Sequence, residues 1–334
     1  MQQDDPWSLD AANKPARTEL KVEPQAPTSL EDALLALDHK SAPVFAVLDG
    51  AQFDNLPQEL LMGDFVSRPL YLDRGDNNPE QIITAPHMVW LDEHPEKITG
   101  RAPKDTIPAL MALIAGRPAA VFWQCPDGAD ALYKHLRGIN VVMYPKAALT
   151  IYEQQFVAEN EIAVLYRHAD ANVIAQSIFA LSPANQTRVL GPASALLCSP
   201  ENIWFADTLI SLTGPTRDRR PGGLMHLTIQ EAQSIAAANR EGAARLISAE
   251  LKQTSALSLE ALERQVHAAV IRAEQYEIGQ LEDLHTFVTL DLLMGAGFET
   301  KPQFAEALEE LCDLEKPPDA RIHYAKQACN RAET

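Results

Sequence analysis

The chain contains no run of about 18 apolar residues, the length a membrane-spanning helix needs, so no helical span is expected in it. It is also short of basic residues. Twenty-eight Lys and Arg stand against 46 Asp and Glu, a formal net charge of −18. Nucleic acids and anionic membrane surfaces are bound by basic faces, so neither is the expected partner. The balance suits a cytoplasmic protein, or a binder of basic surfaces. Cysteine is scarce. Cys125, Cys198, Cys312 and Cys329 form no C-x-x-C pair and share no metal-type spacing with histidine. Reduced, mostly buried thiols are the expectation, and no metal or other cofactor is expected. The opening "MQQDDPWSLDAANK" has no apolar core of the kind a secretory leader carries. Among catalytic motifs there is no phosphate-binding G-x-x-x-x-G-K-[ST] loop, no H-E-x-x-H, no G-x-S-x-G elbow and no G-x-G-x-x-G turn. His87 and His94, seven residues apart on an extended stretch, are poorly spaced as metal ligands.

What is present is an ordinary globular composition, 46% apolar and 22% charged over 334 residues, enough for one large or two modest domains. Residues 1–27, with Pro6, Pro15, Pro24 and Pro27 among polar neighbours, read as a loose arm. A helix is expected to open on a Thr28/Glu31 capping box. Between 41 and 206 short β-branched or aromatic runs alternate with short helices. Strands are expected at 44–50, 68–72, 87–91, 119–124, 139–144, 161–167 and 194–199. Several are apolar on consecutive positions, as in strands covered on both faces. The segment 127–138 reads as a helix capped by Asp127 and ended by Gly138. Residues 211–224, with Gly214-Pro215 and Pro221-Gly222-Gly223 around a charged tip, read as a solvated linker, although its arginines could hold a phosphate. Beyond it the pattern is helical, from a Thr228/Glu231 capping box, through Ser258 and a helix ending on Gly295 and Gly297, to a last one with Pro302 in its first turn. The expected fold is a mixed-sheet α/β lobe (28–210) followed by a smaller all-α lobe (225–334).

One stretch invites a catalytic reading. In "AVLYRHADANVIAQSI" (163–178), Arg167, His168 and Asp170 follow an apolar strand. Strand alternation, however, sends Arg167 and His168 to opposite faces. The spacing of Val173, Ile174, Ser177, Ile178 and Leu181 makes Asp170 the N-cap of a helix. Arg167 is then placed to pair with Asp170 or to tie down a neighbouring loop. This corner reads as structural rather than catalytic.

The chain resembles the type VI secretion effector chaperones, or adaptors, of the Tap or Tec class. Five segments carry the resemblance in order: "FAVLDGAQ" (45–52) with its Asp49-Gly50 turn, "APHMVWL" (85–91) with Pro86, "LYKHLRGINVV" (132–142) with His135, Leu136 and Arg137, "LYRHADANVI" (165–174) with Arg167 and Asp170, and "LSPANQTRVLGPA" (181–193) with Gly191 and Pro192. Two positions depart from the pattern: Ala85 stands where the family has glycine, and Ala171 where it has proline. The resemblance implies a non-catalytic cytoplasmic bacterial protein that binds a secreted toxin effector and helps load it onto the VgrG-class spike. From the two-part architecture, not from the resemblance, the α/β lobe is expected to dock one partner and the helical lobe to complete the groove or touch the other. Two alternatives stay open: an enzyme-type effector with thiol or hydrolase chemistry, built on Cys198 or Cys125 beside a histidine, and an immunity or regulatory binding protein.

Overall fold

Consecutive apolar residues on a strand need cover on both faces, and the chain supplies it. The computed structural model describes residues 29–71, 78–205, 209–214 and 224–333. The N-terminal arm and the arginine-bearing tip of the expected linker lie outside those residues. The large sheet runs β2 (Ser67–Pro69), β3 (His87–Trp90), β1 (Val44–Leu48), β4 (Ala120–Gln124), β7 (Ala195–Cys198), β8 (Ile210–Thr213), with every neighbouring pair antiparallel. On one face Val44, Ala46, Leu48 and Phe122 meet α1 (Leu30–Leu35), α2 (Leu56–Met62) and α4 (Pro103–Ile114) through Leu34, Leu60, Ile107 and Leu110. On the other, Phe45, Val47, Val121 and Trp123 meet α5 (Ala129–Leu136), α7 (Ala171–Ser177) and α8 (Pro183–Leu190). The short helices α3 (Pro79–Thr84) and α6 (Ile151–Gln154) lie between strands in the chain.

A second, three-stranded sheet has the order β6 (Glu161–Leu165), β5 (Val141–Pro145), β9 (Met225–His226). The β5–β6 pair is antiparallel and β5–β9 parallel. Val142 and Tyr166 bring this sheet into the same core as Trp123.

The C-terminal part is helical: α9 (Ile229–Leu251), α10 (Leu259–Glu274), α11 (Leu281–Met294), α12 (Ala305–Cys312) and α13 (Pro318–Glu333). Its core is built from Ile247, Val266, Phe287, Phe298, Leu311 and Ile322 among others. Helix α9 belongs to both lobes. Ile235, in its first half, packs on the α/β core, whereas Ala243, Ala244 and Ile247 belong to the helical core. Thr228 caps α9 in a full capping box with Glu231, as the spacing predicts. The Glu231 carboxylate also accepts from the Ser182 backbone N–H (2.7 Å) and the Asn185 amide (2.9 Å), fastening α9 to the start of α8. Burial alone would raise the Glu231 pKa. The hydrogen bonds from Thr228, Ser182 and Asn185 outweigh it and pull the pKa down to about 2.

The α/β lobe followed by helices agrees with the expected fold class, and four details differ. Ser211–Thr213, expected in the linker, form most of β8, because Ser211 and Leu212 pair with Leu197 and Leu196. Met225 and His226 add a strand to β5 before the helices begin. The first helix is capped by Ser29, whose Oγ accepts from the Asp32 N–H at 3.1 Å, one position beyond the expected box. Helix α5 is entered through Gly128 at φ 83°, so Asp127 falls one residue short of the cap. A positive φ there is available to glycine at little cost.

Candidate functional site

The residues singled out at the strand-to-helix corner come together with the first strand's turn, 118 positions away in sequence. Asp49 ends β1. Its Oδ1 accepts from the Ala51 N–H (3.1 Å), starting a 3-10 turn over Gly50–Gln52, and its Oδ2 pairs with the Arg167 guanidinium. Arg167 also reaches the Asp170 carboxylate, at 3.4 Å. Asp170 caps α7, accepting from Asn172 N–H at 2.8 Å and Val173 N–H at 3.4 Å. One arginine thus bridges two buried carboxylates from separate segments. Burial raises the Asp170 pKa, against the opposing pull of Arg167 and of the backbone N–H groups it caps.

Gly50 is required by close approach. A Cβ there would sit 2.5 Å from the Ala85 carbonyl oxygen. Ala85 itself has φ −60° and ψ 137°, a conformation any residue before proline adopts. The missing glycine therefore changes nothing in that loop. Pro86 follows and its carbonyl accepts from the Leu70 N–H at 3.0 Å. At the other departure, Ala171 is the first residue of α7, and its N–H donates to the Pro118 carbonyl at 2.9 Å. Proline has no N–H to make that bond.

These segments wall a cleft of about 450 Å³ lined by Asp49, Tyr71, Thr84, Pro86, Leu165 and Arg167, among others. His168 also borders it. It diverges from Arg167 as expected, although β6 ends at Leu165 and His168 lies in the turn beyond it, and it enters the core, where its Nε2 bonds the Tyr71 hydroxyl at 2.9 Å. Burial, with His135 nearby, pushes its pKa down to about 3, so the ring is neutral near pH 7. Tyr166, beside it, bonds Ser177 Oγ at 3.0 Å, and burial pushes its pKa up to about 12. The participation of Tyr71 carries no sequence signal, because it depends on a contact 97 positions distant.

The remaining motif residues form a second cluster, joined to the first through Trp123. The Trp123 ring meets His135 and His168 edge-on, each at 6.5 Å between centroids. His135 Nε2 lies 2.8 Å from the Val189 carbonyl oxygen, and its ring fills the space over Gly191. Gly191 closes α8 at φ 53°, ψ −124°, and a Cβ there would fall 2.2 Å from the His135 ring. Leu136 is fully buried, Arg137 lies over the Tyr133 ring, and Pro192 follows Gly191 half-buried.

Chemically, the two clusters offer a charge-compensated arginine, a neutral histidine and aromatic packing. The thiols named for a nucleophilic alternative are both buried, and desolvation raises the Cys198 pKa well above the ordinary thiol range. That is the reverse of an activated nucleophile. Among the described residues no group of three or more His, Cys, Asp or Glu is arranged to hold a metal ion, and no helix is long and apolar enough to cross a membrane.

Sequence reasoning missed a third cluster, in the helical lobe. Arg272 on α10 pairs with Asp291 on α11 and, at 2.9 Å, with Glu299. Asp291 Oδ1 accepts as well from the Gly297 N–H at 2.8 Å. The chain matches no family model, no curated protein and no solved structure.

Proposed function

We propose that the protein is a non-catalytic carrier that binds a secreted toxin effector in the bacterial cytoplasm and helps load it onto a VgrG-class spike. The family half of this reading rests on five ordered segments that resemble the effector adaptors. The observation that carries the non-catalytic half is the use to which their residues are put. Asp49, Arg167 and Asp170 join a sheet edge to a helix start, Gly50 admits a crossing backbone, and His135 fills the space over Gly191. Residues spent on joints specify a scaffold, and a scaffold of net charge −18 steers basic segments of a partner toward it.

The test is affinity purification of the full chain from its native cell, with and without its gene neighbours. Recovery of one large effector together with a spike protein supports the reading, as does loss of that effector's secretion on deletion. Protection of cells that express the effector would instead make this an immunity protein. One observation favours a second reading, as a small-ligand binder: the cleft beside Asp49 and Arg167 has the volume of a small-molecule site. Turnover or saturable binding of a metabolite that Arg167→Ala abolishes without loss of stability would establish it.

A further inference from the structure

We infer that the outer edge of β6 is a docking strand for an extended, basic segment of a partner protein, which adds to the small sheet and reaches the cleft at Leu165. This rests on the reading of the chain as a partner-binding protein and names the surface that does the binding.

The hydrogen-bond parity of the sheet leads to the edge. β6 stands at one end of its sheet. In its antiparallel pairing with β5 the partner positions are Leu165 with Val141, Val164 with Val142, Ala163 with Met143 and Ile162 with Tyr144. Just beyond each end, Tyr166 N–H bonds the Asn140 carbonyl and Lys146 N–H bonds the Asn160 carbonyl. Bonded and non-bonded pairs alternate in an antiparallel ladder. Ile162, Val164 and Tyr166 therefore turn their backbone groups toward β5, and Glu161, Ala163 and Leu165 turn theirs away. Met143 confirms the parity, since its carbonyl faces the other way and accepts from Leu227 N–H on the β9 side. Among the described residues no backbone hydrogen bond reaches Ala163 or Leu165 from outside the sheet.

Proteins protect such edges with lysine, proline, bulges or a covering element. The edge "EIAVL" has neither lysine nor proline, and Ala163 and Leu165 are exposed, Leu165 at 65%. Leu165 is also part of the cleft wall, next to Arg167 and Asp49. A strand added along β6 would lead directly into that cleft. Phe156, 71% exposed, precedes the strand. Charge selects the occupant. Between Lys146, whose ammonium donates to the Val157 carbonyl, and Arg167, paired with Asp49 and Asp170, the chain carries Glu153, Glu159 and Glu161 and no Lys, Arg or His, Glu161 facing His226 at 2.9 Å. A second copy would set these carboxylates against their own kind. A basic segment alternating with apolar residues would satisfy both the charge and the apolar positions, as in other strand-addition interfaces.

The test uses the full chain and a synthetic peptide alternating valine with lysine, beside a twin carrying N-methyl groups on its backbone amides. The inference expects the plain peptide to protect the Ala163 and Leu165 amides from hydrogen exchange and to bind at least about tenfold more tightly than its twin. Binding should weaken as salt is added. Ala163→Pro removes an N–H that β5 does not use, so the fold should survive and peptide affinity should drop about tenfold. Leu165→Arg, at an exposed position, should weaken binding in the same direction and covers the case of a misfolded proline variant. Absence of amide protection up to millimolar peptide would overturn the inference, as would a concentration-dependent dimer that Ala163→Pro abolishes. If effector and spike still co-purify with Ala163→Pro and Leu165→Arg, the edge is wrong and the carrier reading stands. If the peptide binds at the edge but neither partner co-purifies with the wild type, the edge stands and the carrier reading falls.

Discussion

Each lobe contains an arginine set between two carboxylates, and the two trios differ in what surrounds them. Arg272 lies among helices with Asp291 and Glu299, whose side chains are 0% and 1% exposed. Arg167, on a cleft wall, is 39% exposed against 25% for Arg272, and the Asp49 and Asp170 side chains behind it are 7% and 6% exposed. The same chemistry locks a core in one lobe and fastens a joint beside open space in the other. A buried charge left without its partner is costly, whereas a solvated one is much less so. The helical trio should therefore be the harder to break, and the cleft trio the one whose loss is felt by whatever the cleft admits.

The largest effect is expected at Arg272→Met. It strands two buried carboxylates, and urea unfolding should show a loss of about 3–5 kcal/mol. A loss below about 1 kcal/mol would mean water reaches that core and the contrast fails. The next, taken per pH unit, is a pH effect from two buried histidines of the α/β lobe. Burial lowers the His87 pKa to about 4, and His168 falls to about 3. Their unfolded forms take up a proton near 6.5, so the unfolded state binds more protons below that pH. Stability is then fully present above about 6.5 and falls as pH drops toward 4, by up to about 1.4 kcal/mol per pH unit for each histidine. His87→Leu should remove about one proton from that slope. Smaller again is Gly191→Ala, which combines a glycine-only backbone with a clash against the His135 ring; about 1–3 kcal/mol is expected. Adding His135→Ala should recover only the clash. Ala171→Pro is the mildest. It deletes the hydrogen bond to Pro118 and should cost about 1 kcal/mol in thermal unfolding.

What was legible in the sequence divides along the same line. Asp170 and the Thr228/Glu231 box are local caps, and spacing alone reveals them. Six of the seven expected strands occur close to their expected places, because apolar runs between turn residues are local signals too, whereas the one expected at 68–72 is a strand only over Ser67–Pro69. Of the two partners of Arg167, Asp170 was legible three residues on, whereas Asp49, 118 residues upstream, was not. Asp291 and Glu299 look in sequence like solvated charges, and only the packing of the helical lobe buries them, with Arg272 of α10 left one-quarter exposed between them. Strands β8 and β9 were hidden by their glycine- and proline-rich neighbours, and their identity depends on pairing with β7 and β5. The Glu231 bond to Ser182 shows one residue doing both: its cap is visible locally, its hold on α8 only in three dimensions.

We propose that the Asp49–Arg167–Asp170 corner holds the fold rather than turning over a substrate. A double-mutant cycle of Arg167→Met and Asp49→Asn tests it most directly, read by urea unfolding alongside retention of co-purified partners. The account predicts a coupling of about 1–3 kcal/mol, with partner retention falling in step with stability. Negligible coupling, with stability intact and partner binding or a measurable turnover abolished, would contradict it.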